Sequence, residues 1–393
     1  MQLIGQTNID FLGRRNIFIA LSLVLLLAGA ASAVINGGLK FGIDFKGGTL
    51  VYAKFREAPD PERIRAVLQG KGLNVATLQP FQDSPDSHEL KIDLDLAGEV
   101  VETSGKAQVI ETLREIYPIA AGNLDFNYAS SDALGQRLMA NQALRDAGHS
   151  SQELSDAAAT LVAWRDQAPR SGLVRDASEF AAVPGVPESV LAAVRQETEL
   201  GAFHIGGVEV VGPKIGAELQ WQAIKATLFA LAGMLVYIAF RFEWIYGVAA
   251  VIAVFHDVFI TIGFFSLFGR EIELTVVAAL LTLVGYSMND TIVIFDRVRE
   301  NRNAIRRSSL TELLNLSINQ TLSRTVLTSG LTLIAVVCLF VFGGEVLRSF
   351  SFALVVGVLV GTYSSIFIAS PVLLWGQGLL TARAPGVRVG RRA

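Results

Sequence analysis

The chain has 393 residues, 51% of them hydrophobic and 18% charged, with a formal charge of −3 at pH 7. That balance excludes an ordinary soluble domain and points to an integral membrane protein carrying one sizeable water-exposed part. The single cysteine, Cys338, excludes an intrachain disulfide, the four histidines lack ligand spacing for a metal, and no G-x-x-x-x-G-K-[ST] run offers a P-loop for ATP.

Arg14 and Arg15 precede Ile17 to Ile35, an uncharged run long enough to cross a bilayer. Ala31-Ser32-Ala33 also fits a signal-peptidase site, so a cleaved signal and a retained first helix are both open on this stretch. The long basic n-region and the full-span apolar length favour retention. Next comes a glycine-rich turn, Phe41-Gly42-Ile-Asp44-Phe-Lys-Gly47-Gly48-Thr49, in which the glycines permit positive φ and Asp44 caps or braces the chain. A phosphate cradle is the other reading, disfavoured because no helix follows directly. Alternation predicts strands at Thr49 to Phe55, Leu73 to Leu78, Glu89 to Leu94 and Phe203 to Val211. Helices are predicted from Asp60-Pro61 to Gly70 and over Ser104 to Ile116. The order βαββαβ predicts a ferredoxin-like α+β domain.

A helical insertion, about 120–202, interrupts that domain before its last strand. Within it, Phe180 to Val190 resembles a helix-hairpin-helix turn, but the acidic surroundings of Glu179 and Glu188 favour a structural hairpin over nucleic-acid binding. From Trp221 onward, five apolar runs predict spans at Trp221 to Phe240, Ile245 to Phe268, Leu274 to Ile294, Thr325 to Phe342 and Ser349 to Trp375, six with the first. The chain thus divides into 1–36 with the first span, an outer domain over 37–218, a five-helix bundle over 219–378 and a basic tail over 379–393.

Residues 36–218 hold 17 Lys/Arg against 26 Asp/Glu, whereas the remainder holds 16 against 10. Loops on one side of the six spans carry twelve arginines, among them Arg241, Arg297, Arg302, Arg306, Arg307 and Arg388, and those on the other side only Arg270 and Arg348. The positive-inside rule then puts both termini in the cytoplasm and the acidic domain on the periplasmic side of an inner membrane.

Polar residues inside the apolar runs are the candidate functional groups. Asp290 lies in Leu274 to Ile294, and Thr282, Tyr286, Asn289 and Asp290 share one helix face. An ionisable group in a span costs about 3 kcal/mol on insertion scales, so it usually faces a partner or a water path. His256 and Asp257 sit mid-helix, where a structural pair and a functional one are both open. Arg324 begins the fifth apolar run beside a hydroxyl stripe of Thr321, Thr325, Thr328 and Thr332, within pairing range of Asp290 across one loop. A carboxyl and a competing cation are the minimal parts for proton-coupled motion. Small residues at every fourth position, Ala353, Gly357, Gly361, Ser365 and Ala369, predict a close-packing ridge.

These motifs resemble the SecF side of the SecD/SecF family, within the resistance-nodulation-division (RND) transporter class. The resemblance is carried by Asn8-Ile-Asp-Phe11, by Gly42 to Thr49, by Val211-Gly-Pro213-Lys-Ile-Gly216 and by Arg241-Phe-Glu243-Trp244. His256-Asp257, Gly285 to Thr291, Phe295 to Asn301 and Gln320 to Thr325 complete it. It implies a non-enzymatic, cofactor-free aid to late protein export, driven by the proton motive force, with Asp290 and Arg324 in the proton path and Asp257 a further relay candidate. It also implies an uncleaved first helix. The implied partners are a SecD subunit, the SecYEG channel with accessory YajC, the unfolded translocating protein and membrane lipid, without nucleic acid. Against that family pattern the segment 120–202 reads as an insertion into a compact outer domain. Two other classes share the intramembrane carboxyl: half of a small-molecule RND exporter, which would need a second half, and a non-transporting scaffold, in which Asp290 need not titrate.

Overall fold

The computed structural model describes residues 7–81, 88–95, 104–241, 243–305 and 308–383, so Arg306, Arg307 and the basic tail beyond Arg383 lie outside the described residues. It divides into two compact units, Lys46–Ala217 and the combination of Met1–Phe45 with Glu218–Ala393.

In the first unit, strands β1 (Gly48–Phe55), β2 (Asn74–Phe81), β3 (His88–Asp95) and β6 (Phe203–Val211) form one antiparallel sheet in the order β2-β3-β1-β6. With the helices Pro61–Gly70 and Ser104–Ile116 this is the ferredoxin-like arrangement that βαββαβ alternation predicts. Local chemistry fixes the first helix: the Asp60 side chain accepts from the amides of Glu62 and Arg63, and Pro61 occupies the first turn, where it has no hydrogen bond to lose. Ile64, Leu68, Val109 and Leu113 from the two helices close over Val51, Ala53, Leu90 and Ile92 of the sheet.

The segment between Ile116 and β6 builds a separate core. Helices Ser131–Ala140, Ser151–Asp166 and Glu188–Glu197 enclose Phe126, Leu138, Leu161, Trp164 and Phe180, and the short strands β4 (Leu124–Asp125) and β5 (Thr198–Glu199) pair in parallel at its base. Phe180, Val183 and Val190 of the hairpin turn are buried in this core, which gives that turn a packing role. Two buried side chains stitch the segment together. Asn127 donates to the carbonyls of Val174 and Gly201 and accepts from Val174 N, while Arg165 donates to the carbonyls of Phe126 and Ala129. His204 of β6 joins them, its Nδ1 2.7 Å from the Asn127 carbonyl.

Burial holds the His204 pKa below its ordinary value. A histidine depressed in the folded state binds more protons unfolded, so its contribution to stability is present above about pH 6.5 and declines as pH falls through that value toward the lower folded one. The midpoint of chemical unfolding of this unit is expected to drop between about pH 7 and 5, and His204→Asn to flatten that slope. An unchanged slope in the variant would remove His204 as the cause.

Among the described residues six helices are long and apolar enough to cross a membrane: Leu12–Ile35, Pro213–Ile238, Trp244–Leu267, Leu274–Ala304, Leu310–Phe342 and Leu347–Gly378, numbered below as spans one to six. The fifth helix begins well before the predicted apolar run at Thr325. Its start is set by a reciprocal capping box between Ser309 and Glu312, and the polar turns before Thr325 hold the amino-terminal segment. Asn315 Oδ1 accepts from the amides of Phe11 and Leu12, its amide donates to Asp10, and Asn319 bonds the backbone of Ile9 in both directions.

The sixth helix is interrupted by a π-helical turn over Ser365–Ala369. Its small-residue ridge meets the fourth span, where a Cβ on Gly357 would lie 2.6 Å from the Leu283 methyls and one on Gly361 3.1 Å from Ser287 Cβ. The second span is peripheral within the chain, its apolar stretch 6% buried against 72% for the sixth.

Candidate functional site

The fourth span (Leu274–Ala304) is the axis of the polar interior. Asp290 is buried, 2% exposed, and its Oδ2 accepts from Ser329 Oγ of the fifth span at 3.0 Å. The Tyr286 hydroxyl, one turn earlier, is buried close to the hydroxyls of Ser329, Thr332 and Thr362, with full hydrogen-bond geometry to none of them. Thr325 Oγ1, one turn before Ser329, is likewise buried and unpartnered. Asp290 thus takes one hydrogen bond from the fifth span, with the Tyr286 hydroxyl of its own span close by.

Asp257 is more completely bonded. Its Oδ1 lies 2.8 Å from His256 Nδ1, and its Oδ2 accepts from Ser287 of the fourth span and from Ser364 of the sixth. The outer nitrogen of His256 faces the Tyr363 hydroxyl at 3.5 Å, and that hydroxyl is 3.0 Å from Ser22 of the first span. One turn from Ser287, Thr291 Oγ1 lies 2.9 Å from Ser365 Oγ. The π-helical turn thus begins where two consecutive serines reach different neighbours, Ser364 the third span and Ser365 the fourth. Such turns recur at functional positions in helices.

The predicted polar face of the fourth span is divided. Asp290 turns inward, Tyr286 is half-buried, and Thr282 and Asn289 are exposed. Arg324 is exposed too, and no ion pair joins it to Asp290 among the described residues. Ser329, one turn deeper than Arg324, takes Asp290 Oδ2, and the Arg324 charge stays within electrostatic range of the carboxyl without pairing with it. At the carboxy-terminal end of the fourth span, Gln320 Oε1 accepts from Arg297 Nε at 2.6 Å and Asn301 Nδ2 at 2.9 Å, tying the fourth span to the fifth.

The glycine-rich turn has a mechanical role. Asp44 Oδ2 accepts from Leu274 N at 2.8 Å and so caps the fourth span from another part of the chain. Gly42 N donates to the Ile272 carbonyl, and a Cβ there would meet Glu273 Cγ at 2.9 Å. Gly47, at φ 75°, lies so close to Pro213 that a Cβ would stand 2.8 Å from its Cα, and Gly48 opens β1 opposite Val211. Ser287, Ser329, Ser364, Asn315 and Asn319 are site residues that sequence reasoning misses. The one local signal, present for all of them except Ser364, is a polar side chain spaced four residues from another on a helix.

Two family models match the chain: protein export membrane protein SecD/SecF, C-terminal, over residues 190–378, and the SecD/SecF GG motif over 33–58. A protein translocase subunit SecF from Koribacter versatilis is 46% identical over 397 residues, covering 98% of this chain and 97% of that one. The chain belongs to the SecF family of protein translocase subunits. Another member, from Pseudomonas aeruginosa, is 34% identical, with 94% of this chain and 91% of that one covered. The span of the Koribacter alignment leaves the segment 120–202 with a counterpart in that relative.

Two solved structures are similar. SecDF from Thermus, described as a translocon-associated membrane protein, is 30% identical with a TM-score of 0.66. SecDF in a super-membrane-facing form is 30% identical with a TM-score of 0.55. They cover 96% and 98% of this chain, which in turn spans 40% of each SecDF chain. Family membership makes the chain a multi-pass membrane protein of the protein-translocation machinery.

Proposed function

We propose that the chain pairs with a SecD half beside the SecYEG channel and its accessory YajC, and uses the proton motive force to promote late steps of export of unfolded proteins. The observation that carries this reading is the asymmetry around Asp290. A carboxyl is buried with a bond from Ser329 and the Tyr286 hydroxyl close by, while Asn289 and Arg324 of the same two spans stand exposed. Exposed to hydrocarbon, an arginine costs about 3 kcal/mol on insertion scales, so a second membrane half covering that face is the economical arrangement. In that complex Arg324 competes with the proton for Asp290: close approach favours the ionised carboxyl and separation the protonated one. A cycle between the two converts proton movement into movement of the spans, and the arginine asymmetry supports a periplasmic position for the unit Lys46–Ala217.

Isolation of the chain from membranes in mild detergent is expected to recover a SecD-type half in equal amount. Reporter fusions at Pro59 and Gly185 are expected to read periplasmic and one at Arg302 cytoplasmic. A cytoplasmic signal at Gly185, or recovery of a homo-oligomer alone, contradicts the reading.

A further inference from the structure

On the reading that Asp290 is the coupling carboxyl, we infer that Asp257 is a positioning residue: it clamps the third, fourth and sixth spans so that Asp290 faces the fifth, and carries no proton itself. Both carboxyls are buried, 0% exposed for Asp257 and 2% for Asp290, but they are bonded differently. Asp290 holds one serine, with the Tyr286 hydroxyl close by. Asp257 has His256 on Oδ1 and two serines on Oδ2, each from a different span. A proton gained at Asp257 has only Oδ1 to occupy, against His256, because Oδ2 already accepts from two serines.

The clamp acts on Asp290 through the helix they share. Ser287 and Asp290 are three residues apart on the fourth span, so their side chains project from adjoining faces. While Ser287 is held by Asp257 and Thr291 by Ser365, the rotation of this helix about its axis is fixed and Asp290 points to Ser329. The π-helical turn supplies the third arm, since Ser364 and Ser365 bond to different spans from consecutive positions. The titratable groups near the Asp257 carboxylate are His256 on its own span and Tyr363 on the sixth. Ser287 faces it from the fourth span, and Ser22 of the first span reaches it only through Tyr363.

Asn reproduces this junction. Its oxygen accepts from both serines and its amide donates to a neutral imidazole nitrogen, but it holds no titratable proton. Ala leaves both serines and the histidine unbonded in an apolar interior. The test uses the full complex with the channel and motor in proteoliposomes, comparing Asp257→Asn, Asp257→Ala and Asp290→Asn. Asp257→Asn is expected to retain the gradient stimulation of export within about twofold, with an unmoved pH profile. Asp257→Ala is expected to lose about tenfold or more. A second readout, independent of coupling, is amide hydrogen exchange over Gly361 to Ser370, which should accelerate in Asp257→Ala and stay unchanged in Asp257→Asn.

Loss of stimulation or a shifted pH profile in Asp257→Asn would make Asp257 a proton carrier and overturn the inference. So would wild-type stimulation or unaltered exchange in Asp257→Ala. If Asp290→Asn responds like wild type, the coupling reading fails on its own, and the exchange measurement still decides whether Asp257 is the clamp.

Discussion

Replacing Asp290 by Asn is expected to reduce export under an imposed proton gradient to the level seen without one, while accumulation and subunit association are preserved. Asn has nearly the same volume, and its side-chain oxygen can accept from Ser329 Oγ as the carboxylate does at 3.0 Å, so packing between the fourth and fifth spans has no reason to change. What disappears is the exchangeable proton. Arg324→Met removes the competing charge and is expected to give the same loss, whereas Arg324→Lys keeps a cation without the planar fork and retains part of the response. Translocation in proteoliposomes with and without the gradient measures all three. Loss of accumulation in Asp290→Asn would instead make the residue structural.

Gly29→Leu is expected to have the largest effect on stability. A Cβ on Gly29 would stand 2.6 Å from Gly263 Cα, and one on Gly263 3.1 Å from Gly29 Cα, so the first and third spans touch backbone to backbone. No rotamer relieves that contact, and the helices must separate. Separation breaks the neighbouring polar ties, from Ser266 Oγ to Ser32 Oγ at 3.0 Å and from Asn36 to the Ser266 carbonyl. Forcing extra methylenes into a packed interface costs about 1–3 kcal/mol and more where backbone opposes backbone. A clear drop in the thermal midpoint in detergent is expected, with Leu27→Ala, at an exposed position of the same span, close to wild type. Equal midpoints for Gly29→Leu and wild type would mean that the two spans do not pack in this way.

What was legible in the chain follows the range of the interactions involved. The helix Pro61–Gly70 is set by its own cap and proline, and β6 by alternation, so local pattern finds both with the observed bounds. The strand order followed from βαββαβ because few topologies satisfy it. The start of the fifth helix was also present locally, as Ser309 followed three residues later by Glu312, but the polar residues around Asn315 hide it from a search for apolar runs.

The candidate site was half legible. A carboxyl in an apolar run is conspicuous, so Asp257 and Asp290 stand out, but which of them is saturated depends on serines from other spans. Ser287, Ser329 and Ser364 have no special spacing to their partners, and the π-helical turn has no local sequence mark. For the same reason a reach argument pairs Asp290 with Arg324, while packing gives the carboxyl to Ser329 and leaves the arginine on the surface. Local pattern has Asp44 cap or brace its own turn, whereas its carboxylate accepts from Leu274 N, at the start of a helix 230 residues away.

The central claim, that Asp290 passes protons during export, is tested most directly by proton flux. Vesicles holding the channel, its motor and both membrane halves, with the motor outside and an acidic lumen carrying a pH-sensitive dye, should lose luminal acidity on addition of a translocating protein at a rate that depends on active export. The wild-type chain is expected to give that export-linked flux, and Asp290→Asn and Arg324→Met to give only the leak of vesicles without the complex. The same export-linked flux in Asp290→Asn as in wild type would contradict the account.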